Sequence, residues 1–227
     1  LKVVLKEEGT ITVEFPHLIE LIKNNQFDTI YHEHFFYFSL NTLKKIFTKH
    51  KLSIYNVETL NTHGGSLRIY ATHKGNRLDI NSNKESVEKI IKLEVNAGVN
   101  KLNFYSNLGN HAYDIKLNAL KYLISQKLLN KNIAAFGAAA KGNTFLNYCG
   151  IKKDIIDFVV DETPYKIGKY LPQSKIPIFP FEELEKRKPD IIVILPWNHK
   201  EEILAKLEFT KLWNAEIITF ILELQSY

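Results

Sequence analysis

Ile133-Ala134-Ala135-Phe136 runs directly into Gly137-Ala138-Ala139-Ala140-Lys141-Gly142, and a helical stretch from Asn143 to Tyr148 follows. A short continuous apolar run, a glycine turn and a helix together read as the strand-to-helix unit of an α/β protein. The same alternation continues towards the C-terminus. Strand Ile155 to Val160 ends in Asp161, helix Phe181 to Lys188 precedes strand Ile191 to Leu195, and helix His199 to Leu212 leads into strand Glu216 to Leu222. Apolar strands alternating with helices predict a parallel sheet covered on both faces. We therefore expect an α/β domain over residues 131–227.

Residues 74–130 have a different character. Lys74-Gly75-Asn76-Arg77 and Asn81-Ser82-Asn83-Lys84 read as loops, while Ser86 to Asn96 and Ala112 to Leu129 carry apolar residues three and four apart. That spacing predicts amphipathic helices, and the stretch 81–130 reads as a helical connector. Before it lie two strand-like runs, Ser53 to Thr59 and Ser66 to His73, separated by Asn61-Thr62-His63-Gly64-Gly65. Strands this close in sequence pair antiparallel rather than through a crossover. Ser39 caps a helix carrying Leu40, Leu43, Ile46 and Phe47. His17 to Gln26 is weakly helical, and Leu1 to Pro16 reads as a helix end, a Gly9 turn and a strand from Thr10 to Phe15.

Composition sets outer limits. The 227 residues suffice for one large domain or two modest ones, and 45% hydrophobic with 24% charged residues is ordinary for a folded chain. No apolar run approaches the ~20 residues that a membrane-spanning helix needs, so no membrane role is expected. The single cysteine, Cys149, excludes an internal disulfide framework, which favours a reducing cytoplasm. A net charge of +5 spread along the whole chain gives no basic stripe, and nucleic acid is not an expected partner. The chain contains no methionine and opens on leucine, which suggests a fragment lacking its N-terminal part.

The richest chemistry sits in Tyr31-His32-Glu33-His34, between Phe27-Asp28-Thr29-Ile30 and Phe35-Phe36-Tyr37-Phe38. Imidazole titrates nearest neutrality, and a neighbouring phenol or carboxylate orients it as a general base. A turn whose histidines merely cap backbone groups is the plainer alternative. His32 and His34 alternate as metal ligands do on a strand, but no further histidines or acids stand at suitable spacing, and we assign no metal site.

The Gly137–Gly142 turn offers backbone N–H groups and a helix dipole to a phosphate, and Asp161 mimics the acid that binds ribose in dinucleotide folds. The spacing is GxxxxG, not GxGxxG, and Asn143 stands where a Walker A lysine would be. Tight packing of small residues under a helix is the competing reading. Lys141, Asn143, Asp161, Trp197 and Asn198 are candidates to converge beyond the strand carboxyl ends; a buried Trp197 without a ligand is the alternative. His63, beside Gly64-Gly65, is either a substrate contact or an ordinary turn residue.

Several blocks taken together resemble a known family: Glu14-Phe15-Pro16-His17, Phe27 to His34 with Phe38-Ser39-Leu40, Thr62 to Arg68, Gly137 to Thr144 with Asn147-Tyr148-Cys149-Gly150, and Leu195-Pro196-Trp197-Asn198. The family is the S-adenosylmethionine-dependent sugar C-methyltransferases that act on nucleotide-linked keto-deoxysugars. The resemblance implies an α/β fold in which residues 1–80 form the last third of a Rossmann-type methyltransferase domain. It implies a second, Rossmann-like substrate-binding domain over 131–227. Full-length members carry an N-terminal zinc-binding domain and a glycine-rich donor turn, and neither the zinc cysteines nor that turn stands in this sequence.

By resemblance, His34 is the base that removes a proton next to the sugar ketone, with Glu33 and Tyr31 as orienting or enolate-stabilising partners and His32 in support. His63, Gly64, Gly65, Gly137, Lys141, Asn143, Trp197 and Asn198, picked out by their positions in the chain, are the candidates to contact the nucleotide-diphosphate sugar. S-adenosylmethionine is the implied donor. A non-catalytic nucleotide-binding module is the competing class, and an NAD-dependent sugar oxidoreductase, disfavoured by the glycine spacing, is a third.

Overall fold

The computed structural model describes residues 1–221 and 225–226. The chain divides into two compact units, neither of them continuous in sequence: one comprises Leu1–Gln26 and Phe35–Leu108, the other Phe27–His34 and Gly109–Tyr227. The eight residues from Phe27 to His34 thus belong to a different unit from the residues on either side of them.

The first unit is built on β1 (Ile11–Pro16), α1 (Leu18–Lys23), α2 (Leu40–Lys49), β2 (Leu52–Leu60), β3 (Ser66–His73), α3 (Arg77–Asn81) and α4 (Glu85–Ala97). Its sheet has the order β1-β3-β2 and is antiparallel throughout, as expected for the second and third strands. An irregularity between Ile54 and Asn56 explains a change of phase along β2. Leu52 and Ile54 point into the core before it and Val57 after it, because one extra residue reverses the strict alternation of faces. Those side chains meet Leu67, Ile69 and Ala71 of β3, Leu40, Leu43 and Phe47 of α2, and Val87 and Ile90 of α4. Ser39 caps α2 as read from sequence, its Oγ accepting from the Thr42 amide at 3.2 Å.

Two local readings change. Arg77 and Asn81, expected in loops, are the two ends of α3, whose start is fixed by Asn76: its Oδ1 accepts the Asp79 amide at 3.0 Å. The stretch read as a connector divides, with α4 in the first unit and α5 (Leu108–Leu128) in the second from Gly109 onward.

The second unit continues through β4 (Ile133–Phe136), α6 (Ala140–Cys149), β5 (Phe158–Val160), β6 (Ile178–Phe179), α7 (Glu183–Arg187), β7 (Ile191–Ile194), α8 (Lys200–Lys206), β8 (Glu216–Thr219) and β9 (Gln225–Ser226). The six strands lie in the order β6-β5-β4-β7-β8-β9. All neighbours are parallel except β8 and β9, which run antiparallel, so the sheet is mixed. Every residue of β4 and β7 is buried, the signature of strands covered on both faces. On one face Ala134, Phe136, Ile192 and Ile194 meet Leu184 of α7 and Ile203 of α8.

Several elements differ in extent from the sequence reading, α6 beginning at Ala140 rather than Asn143 and α7 spanning Glu183–Arg187 rather than 181–188. The fifth strand is shorter, beginning at Phe158, because Ile155 and Ile156 close a turn onto the Lys152 carbonyl. The helix expected over 199–212 breaks at Leu207 into α8 and a 3-10 turn over Glu208–Trp213. Strand β8 ends at Thr219, and Leu222, the expected end of that strand, lies outside the described residues. From β4 the chain moves to β5 and β6 on one side and later to β7 and β8 on the other, so its direction across the sheet reverses between β4 and β7. Carboxyl ends at such a reversal are where open α/β sheets hold ligands. No helix among the described residues is long and apolar enough to cross a membrane.

Candidate active site

The segment Phe27–His34 enters the second unit as a single 3-10 turn, Phe27–Thr29, followed by a tight turn in which the His34 amide donates to the Tyr31 carbonyl at 3.0 Å. That turn folds Tyr31 and His34 together. Tyr31 Oη lies 2.9 Å from His34 Nε2, and the rings meet edge to face with centroids 4.6 Å apart. A phenol at hydrogen-bond distance fixes the ring orientation and the tautomer of an imidazole. If Nε2–H donates to Tyr31, the ring lone pair lies on Nδ1; if Tyr31 donates, the Nε2 lone pair accepts its hydroxyl proton.

The other two residues of the run separate from this pair. Glu33 lies 4.0 Å from His32, and both side chains are well exposed, at 68% and 87%. An ion pair so open to solvent contributes little to stability. The expected partnership of His34 with Tyr31 therefore has a direct contact, whereas Glu33 lies against His32. No group of three or more His, Cys, Asp and Glu side chains placed to hold a metal occurs among the described residues.

The same segment is anchored from two sides. Phe27 packs its ring on Phe145 and Tyr148 of α6, with centroids 6.5 and 4.9 Å away. Asp28, with no solvent exposure, accepts a 2.7 Å hydrogen bond from Trp197 Nε1 on its Oδ2. Its Oδ1 is buried and has no hydrogen-bond partner among the described residues. Trp197 opens the 3-10 turn Trp197–His199, just beyond the carboxyl end of β7. Lys141, from the first turn of α6, sets its Nζ 4.7 Å from the centre of the Trp197 ring and donates to Asn198 Oδ1 at 3.4 Å.

Lys141, Trp197 and Asn198, three of the residues expected to converge, therefore do so, and they gather around a carboxylate that the sequence reading had not selected. Burial pushes the Asp28 carboxyl up to about 6, against the opposing pull of the Trp197 hydrogen bond and the Lys141 charge. Burial also pushes the Lys141 ammonium down, with the Asp28 charge resisting.

The glycine turn is closely packed. Gly137 has φ +91°, and a Cβ there would stand 2.6 Å from Cδ of Pro196; at Gly142 it would stand 2.6 Å from Cβ of Leu195. Protein atoms thus fill the space beside both glycines. Asp161 is committed locally as well. Its Oδ2 accepts the Ala138 amide at 2.7 Å and Lys166 Nζ at 3.3 Å, and its Oδ1 accepts the Thr163 amide at 2.8 Å. A carboxylate so engaged does not fit the ribose grip of a dinucleotide or adenosyl site, and the turn does not fit S-adenosylmethionine. Asn143 stands near the start of α6, and its Oδ1 is buried without a hydrogen-bond partner among the described residues.

In the first unit, His63 takes a left-handed conformation with φ 56°. The carbonyls of the following glycines are held in place: Gln26 Nε2 donates to Gly64 at 2.8 Å, and the His17 amide donates to Gly65 at 3.0 Å. Gly65, at φ +114°, lies against Glu20, whose Cγ would be 2.6 Å from an added Cβ. The two glycines help line a polar cavity of about 320 Å³ with His17, Glu20, Asn61 and Ser66.

An α/β unit with titratable groups beside the carboxyl ends of its strands is an architecture suited to ligand binding, found in many unrelated families. The chain belongs to the family described as C-methyltransferase C-terminal domain, whose family model matches residues 61–221. It is 34% identical over 200 residues to the C-methyltransferase NovU of Streptomyces niveus, an alignment covering 88% of this chain and 47% of NovU. The chain spans about half the length of the curated relative it matches.

Proposed function

We propose that this chain is the acceptor-binding and proton-abstracting part of a C-methyltransferase that acts on a nucleotide-linked keto-deoxysugar. In this reading the second unit is a Rossmann-like substrate-binding domain, and the first is the closing part of a Rossmann-type methyltransferase domain. The observation that carries the reading is the 2.9 Å contact between Tyr31 and His34 in a chain of this family.

A proton next to a ketone is acidic because the electron pair left behind spreads onto oxygen as an enolate. An enzyme must supply a base poised near neutrality and a donor for that oxygen. His34 is the base. It takes the proton from the carbon beside the ketone, and the C–H electron pair becomes the enolate double bond. Tyr31 holds the imidazole ring and is the donor proposed for the developing oxyanion. Glu33 and His32 sit at the mouth of the same turn in a supporting part. Lys141, with Asn198 and Trp197 beside it, offers a cation to the nucleotide diphosphate, and the Gly137 turn and Asn143 shape that end of the pocket. His63, Gly64 and Gly65 are proposed as further sugar-nucleotide contacts. S-adenosylmethionine, the implied donor, supplies an electrophilic methyl group on a positively charged sulfur, and the reading assigns it no residue of this chain.

The test needs no donor. The purified chain, incubated in deuterium oxide with a thymidine-diphosphate keto-deoxysugar, is expected to catalyse hydrogen–deuterium exchange at the carbon beside the ketone, followed by proton NMR. His34→Asn should slow that exchange by about 100-fold or more. Exchange that persists in the variant at the wild-type rate removes His34 from the role.

A further inference from the structure

We propose that Asp28 is a positioning residue for the Tyr31–His34 pair, and that its hydrogen bond with Trp197 is a buried latch fixing the segment Phe27–His34 at the carboxyl edge of the six-stranded sheet. The inference rests on the proposed function for the meaning of that pair, but the latch is defined by contacts that stand independently of it.

Stability gives no reason for a carboxylate at this position. Asp28 has no exposure, one strong partner for Oδ2, and an Oδ1 with none among the described residues. A buried polar atom without a partner costs free energy that an apolar side chain of similar size would avoid. What the carboxylate supplies is direction. The indole N–H is a single donor of fixed geometry, so the bond specifies one position of the segment against Trp197. Phe27, whose ring lies on Phe145 and Tyr148, fills space but does not set the register.

The route from Asp28 to the reacting group is short and stiff. The Ile30 amide donates to the Phe27 carbonyl at 3.0 Å and the His34 amide to the Tyr31 carbonyl at 3.0 Å, so two consecutive turns link the latch to the imidazole. Lys141 reinforces the latch by placing its ammonium over the ring face of the same Trp197. Displacing a catalytic group by about 1 Å costs roughly 100-fold in rate, so a fixed origin for the segment matters even though Asp28 touches no substrate.

The test compares Asp28→Ala, Asp28→Asn, Trp197→Phe and the Asp28→Ala/Trp197→Phe double variant in the full chain. The first readout is the set of His34 imidazole nitrogen resonances, identified by their loss in His34→Asn. Asp28→Ala and Trp197→Phe are each expected to shift and broaden the His34 signals, and the double variant to do no more than either alone. Asp28→Asn keeps a carbonyl acceptor for the indole N–H and should retain the wild-type signals. The His63 resonances, from the other unit, should stay constant in all variants.

The second readout is deuterium exchange at the sugar carbon. It should fall about 10- to 100-fold in kcat for Asp28→Ala and Trp197→Phe, with KM for Asp28→Ala within about threefold and most of the rate recovered in Asp28→Asn. If Asp28→Ala fails to fold, Trp197→Phe, which keeps the aromatic bulk, carries the test. Unchanged His34 resonances in Trp197→Phe overturn the latch. Perturbed resonances in a chain whose exchange is indifferent to His34→Asn support the latch and overturn the proposed chemistry, so the two failures are distinguishable.

Discussion

His17 and Glu94 form a buried pair in the first unit, with Nε2 2.9 Å from Oε1. The same carboxylate accepts the Leu40 amide at 2.6 Å and the Asn41 amide at 2.8 Å. Glu94, projecting from α4, thus satisfies the first turn of α2, where amide hydrogens have no partner within their own helix. One side chain ties together β1's exit at His17, α2 and α4.

Removing that carboxylate should therefore be costly. Glu94→Ala is expected to destabilise the first unit by about 3–5 kcal/mol, because it strands two amides and an imidazole away from water. Glu94→Gln keeps one acceptor oxygen and should cost roughly 1–3 kcal/mol. Urea unfolding at neutral pH measures both, and equal losses in the two variants would show that the oxygen glutamine retains contributes nothing.

Asp28 should leave a signature in the pH dependence of stability. Its carboxyl is pushed up to about 6 by burial, above the 3.8 of an unperturbed aspartate, so the folded chain holds the proton more tightly than the unfolded one. The stability this group contributes is fully present below about pH 4 and lost as the pH rises through about 6. A shift of that size is worth roughly 3 kcal/mol. Asp28→Asn, which does not titrate, should gain on the wild type between pH 4.5 and 7.5. Unfolding curves that stay parallel across that range would contradict the assignment.

Asp79 should behave with the opposite sign. Burial disfavours its charge, but hydrogen bonds from Lys84, Ser53 and the Gly75 amide outweigh burial and hold its carboxyl down to about 2. That contribution is present above about pH 4 and lost as the pH falls through about 2. Asp79→Asn should cost roughly 2 kcal/mol at pH 6, and the deficit should vanish in strong acid.

Gly142 lies inside α6, where alanine is ordinarily better than glycine by about 1 kcal/mol. Here the added carbon would meet Leu195 Cβ at 2.6 Å, and a backbone-anchored atom cannot swing aside. Gly142→Ala is expected to lower stability by roughly 1–3 kcal/mol. A rise in melting temperature would mean that α6 and the end of β7 separate easily.

Cys149 is buried, and burial pushes its thiol up to about 12 although Lys116 pulls the other way. The thiolate is the reactive form, so the native chain should resist iodoacetamide at pH 8 and take up one equivalent only after denaturation.

Much of the framework was legible because local chemistry and tertiary demand agree. Ser39 announces α2 by its hydroxyl, the β2–β3 pair follows from proximity, and β4 and β7 read as continuous apolar runs because both of their faces are covered. The breaks arose where short elements leave no period to detect: β6 is the two residues Ile178 and Phe179, and α3 is five residues whose signal was the Asn76 cap. Tyr31 and His34, three apart, needed only a turn to meet. Asp28 was hidden for a different reason. Its partner Trp197 is 169 positions away, and no local pattern reveals a contact at that distance.

The two-part composition of the second unit also sets a schedule. A ribosome adding about 5–20 residues per second releases Asp28 roughly 8–34 s before Trp197 exists to receive its hydrogen bond. During that interval the first unit completes its own chain, through Leu108, with an eight-residue excursion that belongs elsewhere. The last steps of biogenesis are therefore the ones that assemble the surroundings of His34, and a nascent chain stalled before Trp197 would have its three-stranded sheet but not its latch.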